Sequence, residues 1–551
     1  MFHYFSLYIV NKKVIKYIYK FNILKRVNNK SMKKRINTKN SNSKIKYIYY
    51  IPLRYILGIL LTILAIASII AIVLIIALKI PYGYVLLILT EVFVLLHIIG
   101  SNENPDYKIP WILFVILLPV VGFMLYIMFH ERRLPRRFVK RLNKYKNSLE
   151  HDDEHVHQEL SKEDKLISMH AKELCYISDT HMYNNSSLKY YPDGKLMFKD
   201  MIEEIEKAEK FIFLEYFTIE EGIFWNTILE ILERKVKEGV EVKVVYDDVG
   251  CMNSLSGLYF LKLRKKGIET VVFSIIKGTA DGEFNNRSHR KILIVDGKVA
   301  FTGGINIADQ YINEIELYGY WKDTGIRVIG EAVNEMTKLF LTDFYINIRK
   351  EAVDFKKYYI INNQTNVNAG YVIPFGDGPF PIYKYQVGKI VIINILNQAK
   401  DYVYITTPYL IIDNETMKAI ENAALRGVDV RLIVPHTPDK KIIFEMTKSN
   451  YQILIKAGVK VYEYLPGFIH SKYYISDDVV GMIGTINLDY RSLAHHFENG
   501  VWIYKDDVIL DIKDDFIKTM NESICMNKVV IKDSIVKKII RTFVRIFSPM
   551  L

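Results

Sequence analysis

The sequence predicts an α/β protein built by internal duplication and preceded by transmembrane helices. Three observations carry that prediction. Helix, glycine and short apolar strand recur in order: Phe224 to Glu238 runs into Gly239 and VEVKVVY, and Tyr259 to Lys266 into Gly267 and IETVVF. The same sequence of elements returns as Thr416 to Arg426 before Gly427 and VDVRLIV, and Tyr451 to Ala457 before Gly458 and VKVYEY, with matched glycines 188 and 191 residues apart. Ahead of both copies lie long runs of Ile, Leu, Val and Ala.

Those runs come first in the chain. Residues 1–54 form a basic arm with fourteen Lys or Arg and no acid, and Met32 offers a second start within it. No small-residue cleavage site follows a short apolar core, so the arm is not a secretory signal. Residues 55–129 then hold three apolar segments. Tyr55 to Leu78 and Ile109 to Phe129 reach the roughly 20 residues a helix needs to cross a bilayer. Gly83 to Ile99 is shorter and carries Glu91 and His97, and the third run is interrupted by Pro119 and Gly122. Basic residues flank both sides, in the arm and again in HERRLPRRFVKRLNKYK, residues 130–146, net +7. Cytoplasmic retention of both flanks demands an even number of crossings, so one of the three segments is re-entrant or interfacial. Which one stays open on sequence grounds.

The formal charge of +13 belongs to these flanks, since residues 147–551 net −7, and a nucleic-acid partner is therefore not expected. Three cysteines, Cys175, Cys251 and Cys525, lie far apart without a CxxC or a His at metal-ligand spacing, so neither a disulfide frame nor a structural zinc site is suggested. Residues 130–165 read as a basic and then polar linker, in which His151, His155 and His157 have nothing nearby to complete a metal site. The repeated halves occupy 166–355 and 382–551. Between them 356–381, with NNQTNVNAG and PFGDGPFP, reads as a linker. Residues 533–547 close the chain with an amphipathic helix, apolar on one face and cationic on the other, suited to core packing or to a membrane surface.

The chemistry resides in a motif present once per half. Counting from His289 and His470, Lys follows at +2 (Lys291, Lys472), Asp at +7 (Asp296, Asp477), Gly at +14 and Asn at +17 (Asn306, Asn487). His and Lys two apart on a strand share a face, so a phosphate would meet imidazole, ammonium and amide together. Two such sites paired about a pseudo-twofold suit phosphodiester exchange, with one His as nucleophile and the other as acid and base. Lys291, Lys472, Asn306 and Asn487 would bind the phosphate oxygens, and no metal or other cofactor is required. Each imidazole needs an orienting carboxylate: Asp323, 34 residues beyond His289, and Glu498, 28 beyond His470, are the candidates, each taken with the His of its own half. From spacing alone Asp296 and Asp477 are turn residues.

HxKxxxxD followed by GGxN or GTxN, twice over, resembles the phospholipase D superfamily. The apolar run NPDYKIPWILFVILLPVVGFMLYIMF before an Arg-rich stretch, the WKD tripeptide, NLDYRS and the terminal FSPML resemble its bacterial cardiolipin synthases. The resemblance implies two α/β/α sandwich domains sharing one site. It also implies transfer of a phosphatidyl group between two phosphatidylglycerol molecules at the cytoplasmic membrane, on its inner side. His289 would be the nucleophile and His470 the acid and base, with Asp296 and Asp477 part of the catalytic motif. Two positions depart from the family pattern: His496 replaces Asn two residues before Glu498, which bears on the tuning of His470. Gly304 replaces Ser, removing a hydroxyl from beside the phosphate. Hydrolysis to phosphatidic acid by a membrane-bound phospholipase D is the alternative activity, and a lipid-binding scaffold the non-enzymatic one.

Overall fold

The computed structural model describes residues 53–118, 121–130, 140, 149–275, 285–348, 354–360, 370–529 and 535–550. The basic arm but for its last two residues, nearly all of the basic run after Phe129, most of the loop from Ser274 to Ser288 and NNQTNVNAG fall outside them.

Two sheets repeat one strand order. The first runs Ser187–Tyr191, Gly325–Ile329, Val299–Gly303, Lys291–Val295, Phe211–Tyr216, Glu241–Asp247 and Glu269–Phe273 across the sheet. The second runs Tyr371–Asp377, Glu498–Tyr504, Val480–Gly484, Tyr473–Ser476, Tyr402–Thr406, Asp429–Pro435, Lys460–Tyr464, and adds Ser523–Cys525 at the far edge. In each, the strand that follows the His is hairpinned to its successor and antiparallel to a strand from the preceding helix-strand unit. Helix ends follow the glycine rule, with Gly239 and Gly427 both at φ 94° just past a helix.

The stretch 356–381, expected as a linker, instead contains an edge strand. Tyr371–Asp377 pairs through all seven residues with Glu498–Tyr504. Pro374 marks it in sequence as a poor central strand, and its edge position is where a missing backbone N–H is tolerated. The polar stretch before residue 165 is not a solvated linker either: in Glu154–Glu163, Val156 and Leu160 are buried in one cluster with Val387, Val391 and Ile392 of the second half.

The halves do not have separate cores. The Val333–Ile348 helix lies against strands of both sheets, and so does Val508–Asn521. Phe340, Phe344, Ile512 and Phe516 share one buried cluster with Phe213 and Ile292 of the first sheet and Val501 and Ile503 of the second. A helix covered on both sides must be apolar nearly all round, and the charges it retains must be paired. Asp343 takes Arg290 at 2.6 Å, and Glu335 takes His181 at 2.7 Å and Lys338 at 3.0 Å. Arg290 also donates from Nε to the Glu498 carbonyl oxygen at 3.0 Å, tying the first half to the second.

In the N-terminal region Leu53–Lys79 and Gly83–Gly100 are helices, and among the described residues Gly83–Gly100 is long and apolar enough to cross a membrane. The third apolar segment turns back. Its helices Pro105–Leu117 and Val121–Phe129 are too short to span, at about 20 and 14 Å. Trp111 meets Tyr126 with ring centroids 5.5 Å apart, and His130 Nε2 returns to Glu103 at 3.1 Å. Gly122 permits the turn: a Cβ there would sit 2.0 Å from the Phe114 carbonyl oxygen. NPDY latches this hairpin onto the second half. Asn104 Nδ2 donates to Asp413 at 3.2 Å, Asp106 accepts from Asn414 N at 3.0 Å and from the Tyr490 hydroxyl at 3.1 Å.

Replacing Arg290 with Met leaves Asp343 buried without its partner, at a cost of about 3–5 kcal/mol. Thermal unfolding of the detergent-solubilised variant should show a midpoint several degrees below that of the native chain; an unchanged midpoint would contradict the shared-core account.

Candidate active site

A cavity of about 290 Å³ opens where the two sheets meet, lined by His289, His470, Asn306 and Asn487 together with Tyr311 and His496. The backbone brings the histidines here reciprocally. His289 N donates to the Phe497 carbonyl at 2.8 Å, and His470 N to the Lys322 carbonyl at 2.7 Å. Phe497 and Lys322 each precede a carboxylate. Consequently His289 Nδ1 lies 2.9 Å from both oxygens of Glu498, and His470 Nδ1 lies 2.6 Å from Asp323 Oδ2. The pairing is crossed: each carboxylate serves the His of the opposite half, not its own. Spacing along one chain cannot reveal this, because strands Tyr320–Lys322 and Gly467–Ile469 pair in parallel across the interface.

With Nδ1 donating to a carboxylate, each neutral imidazole presents its Nε2 lone pair to the cavity. Burial drives His289 down to about 3, against the pull of Glu498, and drives His470 well below its ordinary value, reinforced by Lys472 and Lys291. The lysines are fully buried. Lys291 Nζ donates to the His289 carbonyl at 2.7 Å and Lys472 Nζ to that of His470. Burial lowers Lys291 to about 7 and Lys472 to about 8.

The two dyads differ in what surrounds their carboxylates. Burial pushes both up, and Asp323 rises to about 7. Glu498 is nevertheless held well below the usual carboxylate range, because His289 and further donors surround it. Thr485 Oγ1 and Ser492 Oγ donate to it, the latter at 2.6 Å, and His496 Nδ1 lies 3.6 Å away. At the position matching Thr485 the first half has Gly304, where a Cβ would sit 2.0 Å from Asp323 Oδ1. The missing hydroxyl is thus lost from Asp323, not from beside the phosphate, and His496 neighbours the His289 dyad rather than that of His470.

Asn306 spends its amide locally, accepting from Thr218 N at 3.1 Å and donating to the Tyr311 hydroxyl at 2.8 Å. Asn487 Oδ1 is buried without a hydrogen-bond partner among the described residues. Asp296 and Asp477 are elsewhere, roughly 20 Å along the chain from each His. Asp296 accepts from the backbone N–H groups of Glu209, Lys210 and Phe211, each at 2.8 Å. Asp477 does the same for Lys400, Asp401 and Tyr402 at 2.8–3.0 Å. Both occupy turns at positive φ, 53° and 55°, so they fasten strands and do not line the cavity.

Sequence reasoning missed Thr485, Ser492, Tyr311 and Arg290. Thr485 stood in GTxN and Ser492 in NLDYRS as visible signals, whereas Tyr311 carries none. It also missed a donor set outside the cavity: Asp153, His157 and Cys175 bring ligand atoms within 4.8 Å of one another, as do His289, His496 and Glu498. Cys175, from the helix after His157, supplies what the sequence around His151 lacked. At the second trio Glu498 already accepts from His289, so a cation there would displace that hydrogen bond.

The chain is similar to known proteins over most of its length. The family described as "Cardiolipin synthase, PLD-like domain" matches residues 201–342 and 392–520, and "Phospholipase_D-nuclease N-terminal" matches 92–129. An uncharacterised protein of Streptococcus mutans is 42% identical over 83% of this chain and 99% of its own. A cardiolipin synthase of Alkalihalophilus pseudofirmus is 33% identical over 84% of this chain and 92% of its own. Among solved structures, phosphatidylserine synthase of Haemophilus influenzae shares the fold at 17% identity and a TM-score of 0.52, covering 66% of this chain and 95% of that one.

Asp296→Ala should lower stability by about 2–3 kcal/mol through loss of charge-assisted bonds, yet leave turnover of the folded fraction within a few-fold. His289→Ala should do the reverse. Paired thermal melts and activity assays check both, and an Asp296→Ala enzyme that is stable but dead would return Asp296 to the catalytic set.

Proposed function

The chain belongs to the phospholipase D superfamily, within the bacterial cardiolipin synthases, and on that premise we propose that it joins two phosphatidylglycerol molecules into cardiolipin and glycerol through a phospho-histidine. The observation that carries this reading is the pair of imidazoles in one cavity, each fixed by a carboxylate of the other half.

His289 is the nucleophile. Its partner Glu498 is kept ionised by three donors and so stabilises the cationic phospho-imidazole, whereas Asp323 at about 7 is a weaker anion beside His470. His470 gains its proton as the phosphodiester brings negative charge into the cavity, passes it to the departing glycerol, and later takes it from the second lipid's hydroxyl. Lys291 and Lys472 turn from the carbonyls of His289 and His470 to the phosphate oxygens, with Asn306 and Asn487 beside them.

The same elements support a placement at the membrane. Leu53–Lys79 and Gly83–Gly100 cross as a pair, the hairpin returns to the side it entered from, and both basic flanks remain cytoplasmic with the catalytic halves. Phosphatidylglycerol and the bilayer are the partners; the acidic balance of residues 147–551 speaks against nucleic acid.

Purified protein given labelled phosphatidylglycerol alone should release glycerol and form cardiolipin, with or without chelator. Acid quench should trap label on protein in the native chain and not in His289→Ala. Phosphatidic acid as the main product would replace transfer with hydrolysis, and activity retained in the His289→Ala, His470→Ala double variant would end the mechanism.

The lysines set the alkaline limb. A lysine is charged below its pKa, so values of about 7 and 8 in the empty site predict that kcat/KM falls as pH rises from 7 to 9. Lys472→Arg should move that limb upward; a flat profile through pH 9 in the native enzyme would contradict the assignment.

A further inference from the structure

Beside the catalytic cavity lies a second of about 370 Å³, and the two share Ile411, Tyr490 and Ser548 as a common wall. Its other walls come from the elements nearest the membrane: Ile109 of the hairpin, Arg545 and Ile546 of the C-terminal helix Ile535–Ile546, and Met417 and Ser449 of the second half. These walls are fixed. Arg541 pairs with Glu445 at 2.7 Å, Phe547 meets Phe114 with centroids 5.1 Å apart, and Val544 packs beside Ile411 and Met446. The amphipathic helix is therefore docked through part of its apolar face, while Phe543 stays exposed.

The lining carries two carboxylates and one guanidinium. Asp413 is matched by Lys389 at 3.0 Å, and Asp106 accepts from the Tyr490 hydroxyl and Asn414 N. Arg545 makes no ion pair among the described residues, so its guanidinium is the cation free to take an anionic ligand. Phosphatidyl transfer needs a second lipid whose attacking hydroxyl is three carbons from its own phosphate. A site of that description must adjoin the catalytic cavity, carry a cation and open toward the bilayer.

We propose that this second cavity holds the acceptor phosphatidylglycerol, its phosphodiester on Arg545 and its glycerol reaching past Tyr490 and Ser548 to the phospho-histidine. The proposal rests on the transfer reading above. In the step it serves, the acceptor oxygen bonds phosphorus as the His289 Nε2–P bond breaks. The bonding pair returns to His289, and the hydroxyl proton passes to His470 Nε2.

The full-length protein in phosphatidylglycerol mixed micelles supplies the test. Two rates are measured: cardiolipin formation, whose acceptor carries a phosphate, and exchange of labelled free glycerol into phosphatidylglycerol, whose acceptor carries none. Arg545→Gln and the cavity-filling Ser449→Trp should each lower the ratio of cardiolipin formation to exchange by about tenfold. A ratio unchanged in both, including equal loss of both rates, overturns the subsite. Native protein that exchanges glycerol but never forms cardiolipin overturns the transfer reading itself, and the subsite with it.

Discussion

Everything in this molecule depends on the reciprocal hydrogen bonding of the two halves at their histidines. His289 N reaches the Phe497 carbonyl and its ring reaches Glu498; His470 N reaches the Lys322 carbonyl and its ring reaches Asp323. Neither half holds a finished dyad. The catalytic geometry is therefore a property of the interface, and whatever stabilises the interface also positions the imidazoles. That explains the polar content of the shared core. The helix Val333–Ile348 carries Asp343 to meet Arg290, whose Nε is in turn fixed to the Glu498 backbone. A buried ion pair is a poor source of net stability, but here it ties the strand bearing His289 to the strand bearing its carboxylate.

Near symmetry then makes the small asymmetries informative. The same backbone exchange occurs twice, yet Glu498 is surrounded by hydroxyl donors where Asp323 has Gly304 packed against it. A carboxylate with several donors remains an anion in a buried site, and one with few rises toward neutrality. Duplication alone would give two interchangeable histidines. A two-step transfer needs one that accepts phosphorus and one that carries protons, and the hydroxyl at position 485, absent at 304, is one of the differences between the two dyads.

Much of this was legible in the sequence because it is local or periodic. The repeat, the two histidines and the two carboxylates all follow from spacing. Even the structural role of Asp296 and Asp477 followed from their turn, although family resemblance drew them into the catalytic set; three backbone N–H donors each return them to the scaffold. What spacing could not convey was which half each carboxylate would serve, since that depends on pairing between residues 147 and 209 positions apart. Cys175 joined Asp153 and His157 for the same reason: the partner arrives on another helix. Pro374 and the glycines of PFGDGPFP read as a linker because turn chemistry and edge-strand chemistry use the same residues.

The third apolar segment shows how tertiary contact resolves what hydropathy leaves open. By composition Ile109 to Phe129 was long enough to cross, and the charge rule required one of three segments not to. A bilayer offers no partner for Asn104 or Asp106, whereas the second half offers Asp413, Asn414 and Tyr490. Docking satisfies these polar groups and leaves the hairpin's apolar side facing outward, as the exposure of Ile116 and Ile127 records. The hairpin is thereby linked to the catalytic cavity, since Tyr490 is at once its hydrogen-bond partner and part of the cavity lining.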